Sequence, residues 1–186
     1  MIKVTLEQNR NRWLFLLTAL VMLCAAAAHA APIRTVTATI TRITDGDTVQ
    51  AITPEGTKLK VRLYGIDAPE THKGKIPGEP FGNDSRIYLA SLVGQKSVRV
   101  EIRDIDRYRR MVAIIWLAER NVNQEMIAAG MAEAYGEYLK GPYRTPFILA
   151  EQEAKAQGKG IWSQGNRYER PSQFRRRMGN RVFPES

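Results

Sequence analysis

Asp45-Gly46-Asp47-Thr48 and Asp67-Ala68-Pro69-Glu70 place acids at both ends of one stretch, residues 44–70, with Arg62 shortly before the second cluster. Between the clusters run two alternating apolar segments joined at Pro54-Glu55-Gly56, a tripeptide suited to a turn. If the segments pair as a β-hairpin, both acidic clusters arrive at the same end of the sheet. Carboxylates held that close repel each other, and a hard divalent cation is the natural means of holding them together. The chemistry implied is a metal site acting on phosphate.

The elements that must position these residues can be read from periodicity. Residues 35–43 alternate β-branched with small or polar side chains, and 48–53 and 58–66 form the hairpin. Residues 97–103 alternate cleanly, and 111–117 are apolar throughout, which predicts a strand buried on both sides. Helices are predicted from a cap at Asn83 or Asp84 to Val93, over 121–129, and over 146–157 with Pro146 in the first turn. Residues 71–82, with glycines, prolines and lysines, read as a mobile basic loop beside the acids. The expected order is five strands, with one helix after the third and two after the fifth.

Composition removes the usual rival chemistries. Lys3, Arg10 and Arg12 precede an apolar run, and Ala28-His29-Ala30 supplies small residues for cleavage. Residues 1–30 therefore read as a signal peptide and the protein as periplasmic or secreted, the alternative being an N-terminal membrane anchor. Their removal takes three basic residues and one acid from a formal charge of +9 and leaves +7. The chain's one cysteine, Cys24, leaves with that segment, and of two histidines only His72 remains. Disulfides, thiolate sites and multi-histidine zinc sites are thereby excluded from the remainder. A basic exported domain suits a polyanionic partner. Residues 167–186, rich in arginine and weakly periodic, read as a solvated, flexible tail able to add phosphate contacts.

Asp45-Gly-Asp-Thr48, Arg62-Leu-Tyr-Gly-Ile-Asp-Ala-Pro-Glu70, Asp106-Arg-Tyr-Arg-Arg110, Val122-Asn123, Gly130-Met-Ala132 and Gly160-Ile-Trp162 stand in one order along the chain. In that order and spacing they resemble the staphylococcal nuclease (thermonuclease) family from roughly Ile40 to Ser163, most of a domain read as residues 31–166. The resemblance implies an α+β fold, a five-stranded OB-fold barrel with three packed helices. It implies a calcium-dependent phosphodiesterase that cuts DNA and RNA with little sequence preference. It also places calcium on Asp47, Asp67 and the backbone carbonyl of Ala68; Asp45 reads as standing behind these ligands or stabilising the turn.

Arg62 and Arg110 are then planar donors to the phosphoryl oxygens, and Glu70 can orient or deprotonate the attacking water. Arg107 and Tyr108 are candidate phosphate contacts. Tyr135 and Tyr138 can stack on a base or pack under a helix. One departure stands out: the family places Gly before the last arginine of the Asp106–Arg110 turn, and this chain has Arg109. A positive φ there would cost a non-glycine residue about 1 kcal/mol. The protein is expected to act as a monomer. Two competing readings are a non-catalytic OB-fold nucleic-acid-binding module and a basic adaptor for an anionic envelope surface.

Overall fold

Alternation of buried and exposed side chains closes five strands into a barrel. The computed structural model describes residues 34–182 apart from 73, 75 and 76. The predicted signal peptide lies outside the described residues, as do Lys73 and Lys75 of the basic loop. In chain order the elements begin with β1 (Arg34–Asp45), β2 (Thr48–Ile52), β3 (Lys58–Leu63) and β4 (Ile66–Asp67). Helix α1 (Gly82–Val93), β5 (Ser97–Ile105), β6 (Met111–Leu117) and β7 (Arg120–Asn121) follow. Then come α2 (Val122–Ala128), β8 (Glu133–Ala134), α3 (Arg144–Ala156) and α4 (Pro171–Val182), with 3-10 turns at Gly141–Tyr143 and Gly160–Arg167.

Antiparallel ladders run in the order β3-β2-β1-β5-β6, and a parallel pairing of β3 with β6 closes the ring. That closure sets Val61 beside Met111, Arg62 beside Val112 and Leu63 beside Ala113. Leu59, Val61 and Leu63 point into the core, whereas Lys58 and Lys60 face water. On β6, Ala113, Ile114 and Ile115 are all fully buried, as their unbroken apolar run predicts. The fold is therefore the α+β barrel with helices that the sequence implied, and three of its helices are those expected.

Three expectations need correction. The strand predicted over 58–66 stops at Leu63, turns through Tyr64-Gly65, and resumes as β4 to pair with β8 (Ile66↔Ala134, Asp67↔Glu133). Gly65 permits this break: its φ is +71, and a Cβ there would lie 2.4 Å from Leu139 Cδ2. Helix α1 starts at Gly82 without a side-chain cap, so neither Asn83 nor Asp84 serves as one. A Cβ at residue 82 would sit 2.2 Å from the Glu70 carbonyl oxygen, so the start of this helix rests directly on the second acidic cluster.

The third correction is the largest. Residues 171–182 are not a solvated tail but a helix. Its Phe174 and Met178, one helical turn apart, are buried. Ahead of it, Tyr168 Oη donates to Glu133 Oε2 at 2.7 Å and Arg170 Nε donates to Glu133 Oε1 at 3.0 Å. Two apolar anchors and one buried acid thus hold a segment whose composition looks wholly hydrophilic.

One buried amide fastens the turn before β4 to the rest. Asn123, fully buried on α2, accepts from Ile115 N–H at 2.9 Å. Its Nδ2 donates to the carbonyls of Tyr64 at 2.9 Å and Ala113 at 3.1 Å.

Candidate active site

The hairpin delivers its acids as the sequence requires. Thr48 pairs with Arg62 across β2 and β3, so Asp47 in the preceding turn lies beside the Arg62 side chain. Arg62 Nη1 donates to Asp47 Oδ1 at 2.7 Å, and Nη2 donates to Asp67 Oδ1 at 2.9 Å. The Ala68 N–H donates to Asp47 Oδ2 at 3.1 Å, and Thr48 Oγ1 donates to Asp47 Oδ1 at 3.0 Å. Asp45 Oδ1 accepts from the Asp47 N–H at 3.3 Å, which makes Asp45 a support of the turn. Gly46 is obligatory here, because a Cβ would stand 1.9 Å from Ser85 Oγ on α1.

Asp47 is 2% exposed and Asp67 0% exposed. Burial pushes the Asp47 carboxyl well above the usual range; Arg62 opposes that rise, while Asp45 and Asp67 add to it. Among the described residues no group of three His, Cys, Asp or Glu side chains is arranged to hold a metal ion by itself. A cation here would draw on two buried carboxylates and complete its shell with main-chain oxygen, water and phosphate. Those are hard oxygen donors, and they fit an alkaline-earth ion.

Glu70 is fixed through its backbone. Its N–H donates to Glu79 Oε2 at 2.7 Å, and the Glu79 N–H donates to the Glu70 carbonyl at 2.9 Å. Burial pushes Glu79 up to about 7, opposed first by the Glu70 N–H. Folding therefore favours neutral Glu79, whereas an unfolded chain ionises it near pH 4.3. Between those values the folded state binds more protons, so stability is expected to fall as pH rises from about 4.3 to 7. Glu79→Gln keeps an acceptor for the Glu70 N–H and should flatten this slope in thermal unfolding series. Buried Asp47 contributes with the same sign, so a reduced slope is expected rather than none. An unaltered slope would remove Glu79 from the account.

The Asp106–Arg110 turn puts Arg109 in the left-handed region that favours glycine. Arg109 has φ 62. Asp106 Oδ1 accepts from the N–H groups of Tyr108 and Arg110, both at 2.9 Å, and Arg110 Nε donates to Asp106 Oδ2 at 2.6 Å. The hydrogen bonds of Arg110 stay within this turn. Its guanidinium lies 5.5 Å from the centre of the Tyr108 ring. It stands one residue before the Val61↔Met111 pairing, next to the strand that carries Arg62, and makes no ion pair with Asp47, Asp67 or Glu70. Arg107 donates to Tyr108 Oη at 2.8 Å, and Tyr108 is largely exposed. Tyr135 and Tyr138 pack on each other, with ring centres 4.7 Å apart and Tyr138 exposed. Burial, then the charge of Asp67, raises the Tyr135 hydroxyl above its usual range.

Three participants escape sequence reasoning. Glu79 sits in a loop that reads as irregular, and Glu133 is recruited by a two-residue strand. The third is Arg175 on α4. Its Nη1 donates to Asp67 Oδ1 at 3.0 Å and to Glu70 Oε1 at 3.1 Å, and its Nη2 donates to Asp67 Oδ2 at 2.8 Å. The i, i+4 spacing of Phe174 and Met178 was a legible sign of the helix, but nothing local announces the partners of Arg175.

An OB-type barrel that bridges two buried carboxylates with an arginine, a third acid close by, defines a phosphodiester hydrolase of the nuclease class. Residues 60–164 match the family described as Staphylococcal nuclease homologue, and the chain belongs to it. An uncharacterized endonuclease from Haemophilus influenzae is 39% identical over 140 residues, covering 75% of this chain and 73% of that protein. A micrococcal nuclease from Shigella flexneri is 35% identical over 150 residues, covering 76% and 81%. A probable endonuclease from the yeast Scheffersomyces stipitis is 38% identical over 128 residues, covering 63% of this chain and about half, 53%, of its own length.

Proposed function

We propose that this protein is an exported, calcium-dependent endonuclease that hydrolyses DNA or RNA with little sequence preference. The observation that carries the reading is the Arg62 guanidinium spanning Asp47 and Asp67, with Glu70 three residues beyond. Asp47, Asp67 and the Ala68 carbonyl would hold the ion, which when bound polarises the phosphate and offsets its growing negative charge. Asp45 keeps Asp47 in place through the turn. Arg62 donates to phosphoryl oxygens, and its fork bonds strengthen as charge builds on them. Arg110, steadied by Asp106 and Tyr108, supplies the second guanidinium. Glu70 takes a proton from the attacking water as the new P–O bond forms and the scissile P–O bond breaks, and the leaving oxygen departs opposite and takes a proton from solvent to become a hydroxyl.

Arg107 and Tyr108 meet the backbone of the substrate, and exposed Tyr138, backed by Tyr135, offers a face for a base. The protein acts as a monomer in the periplasm or outside the cell. Among the described residues no helix is long and apolar enough to cross a membrane.

Incubating the purified protein with single-stranded DNA, in calcium and then in chelator, tests this reading. Cleavage in calcium that stops in chelator is expected. Unchanged cleavage in chelator would reject the metal, and binding without cleavage would reject the hydrolase.

A further inference from the structure

The C-terminal helix brings a cation to the carboxylates from a part of the chain that the proposed reaction does not use. Arg175 takes both oxygens of Asp67, at 3.0 and 2.8 Å, and one of Glu70, at 3.1 Å. This is the two-pronged guanidinium–carboxylate geometry, the strongest form of such a pair. Arg62 already donates to Asp67 Oδ1, so that oxygen accepts from two arginines. A cation bound by Asp67 needs at least one of the same oxygens, and Arg175 also occupies one of the two Glu70 oxygens that a base would turn to water. A guanidinium and a divalent ion a few ångström apart also repel. Exchange is therefore favoured over joint occupancy.

The helix is built to hold this contact and still let it break. Arg170 and Tyr168 on Glu133 fix its start, and Phe174 and Met178 anchor its inner face. The Arg175 side chain itself is 37% exposed. Its guanidinium can withdraw into water while the helix stays docked.

We propose that Arg175 is an internal competitor of the divalent cation. It holds Asp67 and Glu70 in the metal-free chain and is displaced when the ion binds, so that α4 sets the ion concentration at which the enzyme switches on. The proposal rests on the reading of Asp67 as a metal ligand and Glu70 as the base.

Calorimetric titration of calcium into the purified chain, without nucleic acid, tests it. Arg175→Ala and Arg175→Gln should each bind calcium about 5- to 150-fold more tightly than the wild type, the usual span of coupling between two linked sites. Arg176→Ala, at an exposed neighbouring position, should match the wild type. Thermal unfolding confirms that each variant is folded, and Gln preserves side-chain bulk and hydrogen bonding if Ala does not fold. Affinity unchanged or weakened in a folded Arg175 variant overturns the competition while leaving the metal site intact. No calcium binding by the wild type or either variant overturns the metal reading and the competition together.

Discussion

An Arg62→Ala chain is expected to lose about 10²- to 10³-fold in turnover on DNA, the usual consequence of removing one donor aimed at developing charge. The loss should fall mainly on turnover and less on KM, because the proposed bonds strengthen as charge builds on the phosphate. Arg62→Lys should recover little, since an ammonium restores the charge but not the planar fork that reaches both Asp47 and Asp67. Stability should suffer less than activity. Breaking a buried ion pair typically costs about 3–5 kcal/mol. Here Arg175 still holds Asp67, and buried Asp47 can take up a proton, so a smaller loss is expected. Single-turnover kinetics beside thermal unfolding separate the two effects. A folded Arg62→Ala chain as active as the wild type would remove Arg62 from its proposed role.

Asn123→Ala is expected to have the largest effect on stability, about 2–6 kcal/mol. The Ile115 N–H and the Tyr64 carbonyl would both lose the amide as a partner inside the protein, and each stranded group costs about 1–3 kcal/mol. The Ala113 carbonyl is spared, because it also accepts from the Tyr64 N–H at 2.7 Å. For a domain of this size the change corresponds to a fall in Tm on the order of 10 °C. Chemical and thermal unfolding measure it directly. A loss under about 1 kcal/mol would show that water replaces the amide.

What was legible in the sequence follows from where each interaction is decided. The alternation in β2 and β3, the apolar run of β6 and the acids at the hairpin ends are properties of neighbouring residues, and they were readable together with Asp47, Arg62 and Asp67. The Arg109 position was also readable as a place where backbone conformation and residue type conflict, and its φ of 62 bears that out. The break at Gly65 was hidden because β4 exists only to meet β8, far along the chain. Helix α4 was legible only in the i, i+4 spacing of Phe174 and Met178. Its arginines dominate its composition and mask that buried apolar pair. Glu79 and Glu133 look like ordinary surface acids, and only the packing around them makes them otherwise.

The span of these contacts along the chain carries a consequence for the order in which the protein assembles. Asp47 and Arg62 are 15 residues apart, and Arg62 and Asp67 only 5. Asp67 and Arg175 are 108 apart. Near contacts close first, because long loops must be ordered before their ends reward them. In a chain that emerges from its N-terminus, the acids and their arginine lie within the β2–β3 hairpin and the short β4 segment that follows it. The ring then waits for β6, and the last guanidinium waits for the last helix. The machinery for cutting is thus complete in outline before the residue that would restrain it has been made.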